Sequence, residues 1–341
     1  MKNILLSFFF LLSAACNRPA KMPERAFYHW ETRLDLNQEE QDYLRKLNIG
    51  TLYTRFFDVD WEAGQAVPLA VLQATSLPSG LRIVPAVFIT NRTMRSIQEQ
   101  DIPLLAEKIV KKIAAIGLRL PGININEVHI DCDWTTATRS NYFLLLREIQ
   151  SLGKAKGWRL SVTLRLHQWK YAQRTGVPPA DLAILMCYNT GQLERWEEPN
   201  SILSREALQP YLKDLPSYPL PLGVALPVFR WGIIFRDGQL LRLIHGLEAP
   251  QLTDPERFTK ISHNRFIVRK NTYLDGHYLY RGDRIRLESA DARTCRRAAQ
   301  LLRPALRKSP AEVIALYHIE PSLPKRMPYA STEEVFHAFP H

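Results

Sequence analysis

The sequence predicts an α/β fold, namely a (β/α)8 TIM barrel with a small β-rich insertion after its seventh strand. Eight short apolar runs recur along the chain, helical patterns lie between them, and 341 residues suit a barrel that forms one unit. Near-continuous apolar strands, each followed by a helix, are typical of a parallel sheet covered on its outer face. A doubly wound open sheet is the alternative, but no Gly-rich phosphate loop follows the first strand.

The predicted strands and helices follow from hydrophobic spacing. The strands are residues 26–30, 51–57, 82–89, 127–133, 159–166, 182–188, 222–229 and 313–319. Apolar residues at helical spacing predict helices over 102–116, 142–152 and 292–307, with a weaker candidate at 204–215. Asn37 and Glu40 have the spacing of an N-terminal capping box ahead of Tyr43.

The alternation of apolar strands with helices stops between about residues 236 and 288. Short strand patterns at 265–270, 276–280 and 284–287 are joined by the turn pairs Asp275-Gly276 and Gly282-Asp283. This pattern predicts a small antiparallel insertion between the seventh strand and its helix. We therefore expect a single barrel domain over residues 26–341 that carries this insertion.

The first fifteen residues read as a secretory signal peptide. Lys2 is followed by a short apolar run, too short for a membrane span, and by small residues that end on Cys16. This ending resembles a bacterial lipobox, which implies lipidation of Cys16, a tether up to residue 25, and a membrane anchor. The expected location is the bacterial cell envelope, on the periplasmic face or the outer-membrane surface. An ordinary cleaved signal with an incidental cysteine is the alternative.

The net charge and the cysteine spacing limit which partners and cofactors we expect. Removing Lys2 with the signal leaves about ten of the formal +11 charges, which favours anionic surfaces such as lipid headgroups or acidic glycans. Because Lys and Arg are scattered rather than clustered, we expect no nucleic-acid partner. Cys132, Cys187 and Cys295 fit neither a disulfide framework nor a zinc site, so we expect no metal and no cofactor.

Two aspartates end the fourth predicted strand. Asp131 and Asp133 lie on one face because alternate residues of a strand point the same way, and Thr135 takes the next position on that face. The chemistry of such barrels lies at the carboxyl ends of the strands. Carboxylates can act on a glycosidic bond, and aromatic rings can stack on sugar faces.

The other predicted strand ends carry a similar set of side chains. They are Trp30 and Glu31, Arg55, Asp58 and Asp60, Arg165 and His167, Met186 and Tyr188, Trp231, and Tyr317 and Glu320. Their composition favours a carbohydrate site. The structural alternative is that several of them form ion pairs, for example Arg55 with Asp131 or Arg165 with Asp133.

These motifs, in this order, resemble glycoside hydrolase family 18, the chitinase and endo-N-acetylglucosaminidase barrels. The segment from Asp131 to Thr135 aligns with the Asp-x-Asp-x-Glu motif of the family, and Met186-Cys187-Tyr188 aligns with its Met-x-Tyr motif. A looser match runs from Gly223 to Pro227. Larger family members carry an insertion after strand seven. The chain also looks like bacterial lipoproteins related to this barrel.

The resemblance implies roles for individual residues. Asp133 would orient the substrate N-acetyl group, Asp131 would support Asp133, and Tyr188 would contact the acetamido group. Thr135 stands where the family has the proton-donating glutamate. A hydroxyl cannot replace a carboxylic acid in this role, and loss of general acid catalysis lowers a rate by about 10²–10⁴-fold.

Three functions remain open. In the first, the protein is an envelope-anchored glycosidase in which Asp131, Asp133 and Glu320 are catalytic. Glu320 is the first candidate for the proton donor, followed by Glu31, Asp58 and Asp60. The other strand-end residues would then bind the substrate. In the second, it is a non-catalytic surface lipoprotein that binds a glycan. In the third, it is a structural envelope lipoprotein without a ligand.

Overall fold

A computed structural model describes residues 22–74, 76–213 and 217–340. The strands within these ranges are β1 (Glu24–His29), β2 (Thr51–Glu62), β3 (Gln65–Leu69), β4 (Arg82–Ile89), β5 (Glu127–Cys132), β6 (Arg159–Arg165), β7 (Leu182–Met186), β8 (Leu222–Pro227), β9 (Arg230–Arg236), β10 (Gln239–His245), β11 (Phe258–Ser262), β12 (Arg265–Val268), β13 (Thr272–Leu274), β14 (His277–Leu279), β15 (Arg284–Ser289) and β16 (Ala311–Tyr317).

Eight of these strands form the predicted barrel. The parallel order is β1-β16-β8-β7-β6-β5-β4-β2, and pairing of β1 with β2 closes the ring. Each barrel strand overlaps one of the eight predicted runs. Buried apolar residues such as those of β7 and β8 explain why the runs lack strict alternation, because both faces of the strands are covered. The (β/α)8 barrel is therefore confirmed.

Helices cover the outside of the barrel. They are α1 (Gln38–Lys46), α2 (Asn91–Ser96), α3 (Ile102–Gly117), α4 (Arg139–Lys154), α5 (Leu166–Lys170), α6 (Ala172–Thr175), α7 (Arg205–Leu212), α8 (Ala292–Lys308), α9 (Leu323–Arg326) and α10 (Tyr329–His337). The predicted capping box begins α1: Asn37 Oδ1 accepts from the Glu40 amide at 3.0 Å, and Glu40 Oε2 accepts from the Asn37 amide at 2.9 Å. The end of the weak helix prediction at 204–215 lies outside the described residues.

Strand β2 departs from the simple pattern in two ways. It runs past the barrel to Glu62 and turns back into β3, which the sequence did not predict. Its register against β4 also shifts between Arg55 and Phe57. Such a β-bulge adds one residue to a strand and changes which side chains face the barrel beyond it.

The insertion after the seventh barrel strand is a sheet of five antiparallel strands, β10-β9-β15-β12-β11, with a separate hairpin of β13 and β14. Its strands run from Arg230 to Ser289. One face of β9 packs Trp231, Ile233 and Phe235 against the barrel core. The opposite face has a core of its own that includes Ile234.

The predicted signal peptide, Cys16 and most of the tether lie outside the described residues, so lipidation and anchoring stay predictions. Within residues 22–340, apart from the two gaps, none of the helices has the length and apolar character that a membrane crossing requires.

Candidate functional site

A column of polar side chains runs through the barrel and ends at its carboxyl-terminal mouth. On β5, alternate residues Glu127, His129 and Asp131 are buried. Tyr53 donates to Glu127 Oε1 at 3.1 Å, and the Tyr28 hydroxyl lies 3.2 Å from His129 Nε2. The period-2 spacing of the strand therefore brings Asp131 to the top of a hydrogen-bonded interior.

Asp131 is almost completely buried, with 7% of its surface exposed. Its Oδ1 accepts a hydrogen bond from the Thr163 hydroxyl at 2.7 Å. Burial, with the negative charge of Asp133 nearby, raises the pKa of Asp131 to about 7, although Thr163 and Arg165 oppose the shift. Asp131 is thus a carboxyl group that exchanges its proton near neutral pH.

Asp133 forms a two-point ion pair with Arg165. Arg165 Nε donates to Asp133 Oδ1 at 2.5 Å, and Nη2 donates to Oδ2. The pair still faces solvent, since 43% of the Asp133 side chain and 31% of the Arg165 side chain are exposed. Each carboxylate oxygen accepts one bond from Arg165 and keeps a lone pair free, so a ligand that approaches Asp133 meets a fixed pair of donor and acceptor groups.

Thr135 is exposed in the loop that follows β5. Its amide donates to the Thr138 hydroxyl at 2.9 Å, and the two hydroxyl oxygens lie 3.4 Å apart. The Thr138 hydroxyl in turn donates to Asn91 Oδ1 at 2.7 Å. These contacts order the loop but place no acid at the position of Thr135.

Aromatic rings form the floor of the mouth. Tyr188 stacks on Tyr317 with ring centroids 5.3 Å apart. Trp30, Tyr28 and Phe229 surround Tyr317 at 5.6, 5.4 and 5.9 Å. Trp30 and Tyr317 are partly exposed, whereas Tyr188 is 6% exposed. The predicted residues Trp30, Tyr188 and Tyr317 therefore lie together.

Arg55 pairs with Asp58 and not with Asp131. Arg55 Nε donates to Asp58 Oδ1 at 2.7 Å, and Nη2 forms a second contact with Oδ2. The register shift after Arg55 returns Asp58 to the same face of β2, which explains this pairing. Asp60 likewise pairs with Arg92.

Glu320 lies in a cluster of cationic and hydroxyl groups. It accepts from Ser322 at 2.8 Å and from Arg326 at 2.9 Å, and Arg230 lies 3.5 Å away. Burial by itself raises the pKa of Glu320, but these three donors outweigh it and hold the pKa below its usual value. Glu320 is therefore an ionised carboxylate at neutral pH, which argues against the proton-donor role first predicted for it from the sequence.

Glu31, like Asp131, has no ion pair among the contacts of the described residues. The residue is exposed as a whole, but partial burial of its carboxyl group and the charge of Glu320 raise its pKa. It follows β1, and β1 pairs with β16, which precedes Glu320. Two carboxyl groups with opposite pKa shifts thus lie just beyond the ends of adjacent barrel strands.

Three further predicted residues have different surroundings. Met186 pairs in register with Arg165 and is half-buried at the mouth. His167 is exposed in the first turn of α5, where partial burial and the Arg165 charge lower its pKa. Trp231 is 7% exposed and packs in the barrel core, and its Nε1 donates to Glu288, its register partner on β15, at 2.8 Å.

The sequence did not single out Thr163, Tyr28 or Phe229. Thr163 and Tyr28 stand two residues before Arg165 and Trp30, on the same strand faces, so period-2 spacing could have found them. Phe229 likewise stands two residues before Trp231, and the structure places it between β8 and β9.

No group of three or more His, Cys, Asp or Glu side chains suitable for a metal ion occurs in the part of the chain that the structure describes. Cys132, Cys187 and Cys295 are buried free thiols.

Solved structures with the same architecture include several enzymes. The spore cortex-lytic enzyme SleL of Bacillus megaterium is 12% identical, with a TM-score of 0.55, over 94% of this chain and 75% of that chain. The Bacillus cereus SleL is 14% identical, with a TM-score of 0.51, over the same shares of the two chains. A class V chitinase from Pseudomonas fluorescens is 11% identical, with a TM-score of 0.52, over 93% of this chain and 99% of that chain.

This chain has the fold of those enzymes. The fold that the resemblance to glycoside hydrolase family 18 implied is thereby confirmed. No protein-family model matches the sequence. A comparison with curated proteins also finds no match.

Proposed function

We propose that the mouth of the barrel binds a glycan and does not cleave it through the fourth strand. The observation that carries the proposal is the Asp133–Arg165 pair, which is open to solvent and is held in place by a contact to each carboxylate oxygen. Next to it, Thr135 offers a hydroxyl and no acid. An orienting aspartate without a proton donor suits recognition better than bond cleavage.

The contacts at the mouth suit a sugar ring. Partly exposed Trp30 and Tyr317 supply apolar ring faces for the C–H groups of a sugar. Asp133 accepts hydrogen bonds from hydroxyl groups, and Arg165 donates to ring or hydroxyl oxygens. The chitinases and the spore cortex-lytic enzymes with this fold make a chitin-like or cortex-like glycan the first ligand class to test.

Trp30 gives the most direct test of binding. Trp30→Ala is expected to weaken binding of soluble chitin oligosaccharides by about 10- to 100-fold, because burying an aromatic side chain is worth about 1.5–3 kcal/mol. Isothermal titration calorimetry measures the affinity. The matched control is Trp158→Ala, since Trp158 is a half-buried tryptophan at the start of β6, at the opposite end of the barrel. Equal affinities of the two variants would argue against a sugar site at the mouth.

A second candidate function is hydrolysis by Glu31 and Glu320. The opposite pKa shifts of these two carboxyl groups favour it, because such a pair supplies a proton donor and an ionised partner. In this hypothesis Glu31 protonates the leaving oxygen, and Glu320 stabilises or attacks the anomeric carbon.

The hydrolysis reading predicts a large effect at Glu31. Glu31→Gln is expected to lower the rate of product release by about 10²–10⁴-fold, because the amide has no proton to donate. Mass spectrometry of the reaction products measures this rate, with Glu99→Gln as the control at an exposed glutamate in a short 3-10 helix. Release of shortened sugars that is equal in both variants would remove Glu31 from this role.

A further inference from the structure

Three exposed tyrosines form a patch on the insertion. Tyr273, Tyr278 and Tyr280 are 67%, 42% and 49% exposed. The Tyr273 and Tyr278 ring centroids are 4.9 Å apart, and those of Tyr278 and Tyr280 are 5.1 Å apart. We call these residues the tyrosine patch. Contiguous exposed aromatic surface on a folded protein commonly marks a binding site.

The hairpin of β13 and β14 holds the tyrosine patch in place. Tyr273 and Tyr278 are register partners, while Leu274 and Leu279 point the other way and are buried in the core of the insertion. Asp275 at the turn has a φ of 48°, a conformation that Asp and Asn tolerate better than most residues. The rings are therefore presented by a packed element and not by a free loop.

The tyrosine patch is separate from the mouth of the barrel. The insertion sheet turns Trp231, Ile233 and Phe235 toward the barrel, whereas Leu274 and Leu279 pack on its opposite face. The hairpin therefore covers the side of the sheet that faces away from the barrel. A ligand on the tyrosine patch would not occupy the site that contains Asp133.

Positive charge surrounds the tyrosine patch. From Arg230 to Ser289 the sequence holds eleven Lys and Arg against seven Asp and Glu. Arg257 bonds only neutral oxygens, those of Thr272 and Tyr273, and Arg242 bonds His277. None of these contacts neutralises a guanidinium group.

Two more arginines adjoin Tyr280. The Arg236 guanidinium lies over the Tyr280 ring at 4.4 Å, although Asp283 neutralises its charge. Arg281 follows Tyr280, is exposed, and has no ion pair among the described residues. The patch thus combines aromatic faces with uncompensated guanidinium groups.

We propose that the tyrosine patch is a second binding site, for an acidic polysaccharide. Tyrosine faces stack on the apolar sides of sugar rings, and arginine forks bind carboxylates in two-point contacts. The rings meet at interplanar angles of 65° and 88°, so each ring offers its own face to a sugar. These rings are not parallel, so a nucleic-acid base could not stack between two of them. The hairpin leucines are buried, which leaves it without aliphatic side chains for insertion into lipid.

The test uses affinity electrophoresis of the full chain in gels that contain polygalacturonate, with dextran as the neutral polymer. We expect polygalacturonate to retard the protein more than dextran does, and added salt to weaken the effect. The double variant Tyr273→Ala/Tyr278→Ala is expected to lose at least about 10-fold in affinity. Tyr171→Ala/Tyr329→Ala, which removes two exposed tyrosines outside the insertion, and Trp30→Ala at the mouth should bind as the wild type does.

Asp275→Asn keeps the proposal testable if the double variant fails to fold. Asparagine tolerates the same backbone conformation and removes the acid at the hairpin turn, so affinity for polygalacturonate should rise several-fold. Equal retardation by dextran, no change in either hairpin variant, or tighter binding of single-stranded DNA would each overturn the proposal. Loss of binding in Trp30→Ala would instead place the polymer at the mouth.

Discussion

Asp131→Asn is expected to remove a large pH dependence of stability. The pKa of Asp131 is about 7 in the folded chain, against an ordinary value of 3.8. Between these values the folded chain keeps a proton that the unfolded chain has released, so the free energy of unfolding falls as pH rises from about 4 to about 7. The loss is on the order of 4 kcal/mol, and asparagine, which resembles the neutral acid, should not suffer it.

Urea unfolding at a series of pH values measures this difference between the wild type and Asp131→Asn. Asp60→Asn is the matched control, because hydrogen bonds from Arg92 and Thr90 lower the pKa of Asp60 to about 2. Its contribution is lost only as pH falls from about 4 toward 2, which is a different window with the opposite sign. Parallel curves for the wild type and Asp131→Asn between pH 4 and 7 would mean that Asp131 is already ionised there.

The second large effect is expected at Glu288, where the insertion joins the barrel. The side chains of Glu288 and Arg286 have no exposed surface, and Arg286 Nε lies 2.7 Å from Glu288 Oε1. Glu288 also accepts from Ser201 at 2.5 Å and from Trp231 at 2.8 Å. Glu288→Ala leaves the buried Arg286 charge without a carboxylate, with only the backbone carbonyl oxygens of Leu193 and Arg195 as acceptors. This is expected to lower the free energy of unfolding by about 3–5 kcal/mol.

Chemical denaturation measures this loss, and the double variant Arg286→Met/Glu288→Leu should recover much of it because no charge remains buried. The control is Glu107→Gln, whose ion pair with Lys111 is exposed. Pairs of that kind contribute at most about 1 kcal/mol. If Glu288→Ala lost no more than Glu107→Gln, the buried pair would not be what fixes the insertion.

The barrel could be predicted from the sequence because its signals are local. Buried parallel strands appear as apolar runs, and a cap such as Asn37 with Glu40 depends on residues three apart. The pairing of Arg165 with Asp133 was an example of the structural alternative, and it forms because the two residues lie at the ends of neighbouring strands.

The remaining contacts of the site depend on a β-bulge, a strand end and a loop conformation, which local sequence patterns do not predict. One bulge in β2 moved Asp58 beside Arg55, so the alternation rule failed beyond it. Trp231 was read as the end of the seventh barrel strand, but β8 ends at Pro227 and Trp231 belongs to β9 of the insertion. The pairing of Glu320 with Arg326 depends on the loop after β16, which the strand pattern does not describe.

Binding and product analysis on the same samples test most directly whether the mouth binds a glycan without cleaving it. Soluble chitin oligosaccharides and peptidoglycan fragments can be titrated into the wild type by calorimetry, and the same samples can then be examined by mass spectrometry for shortened products. We expect saturable binding that Trp30→Ala weakens and Trp158→Ala does not, with the oligosaccharides recovered intact. Shortened products that disappear in Glu31→Gln would contradict the claim in favour of hydrolysis, and a complete lack of binding would contradict both.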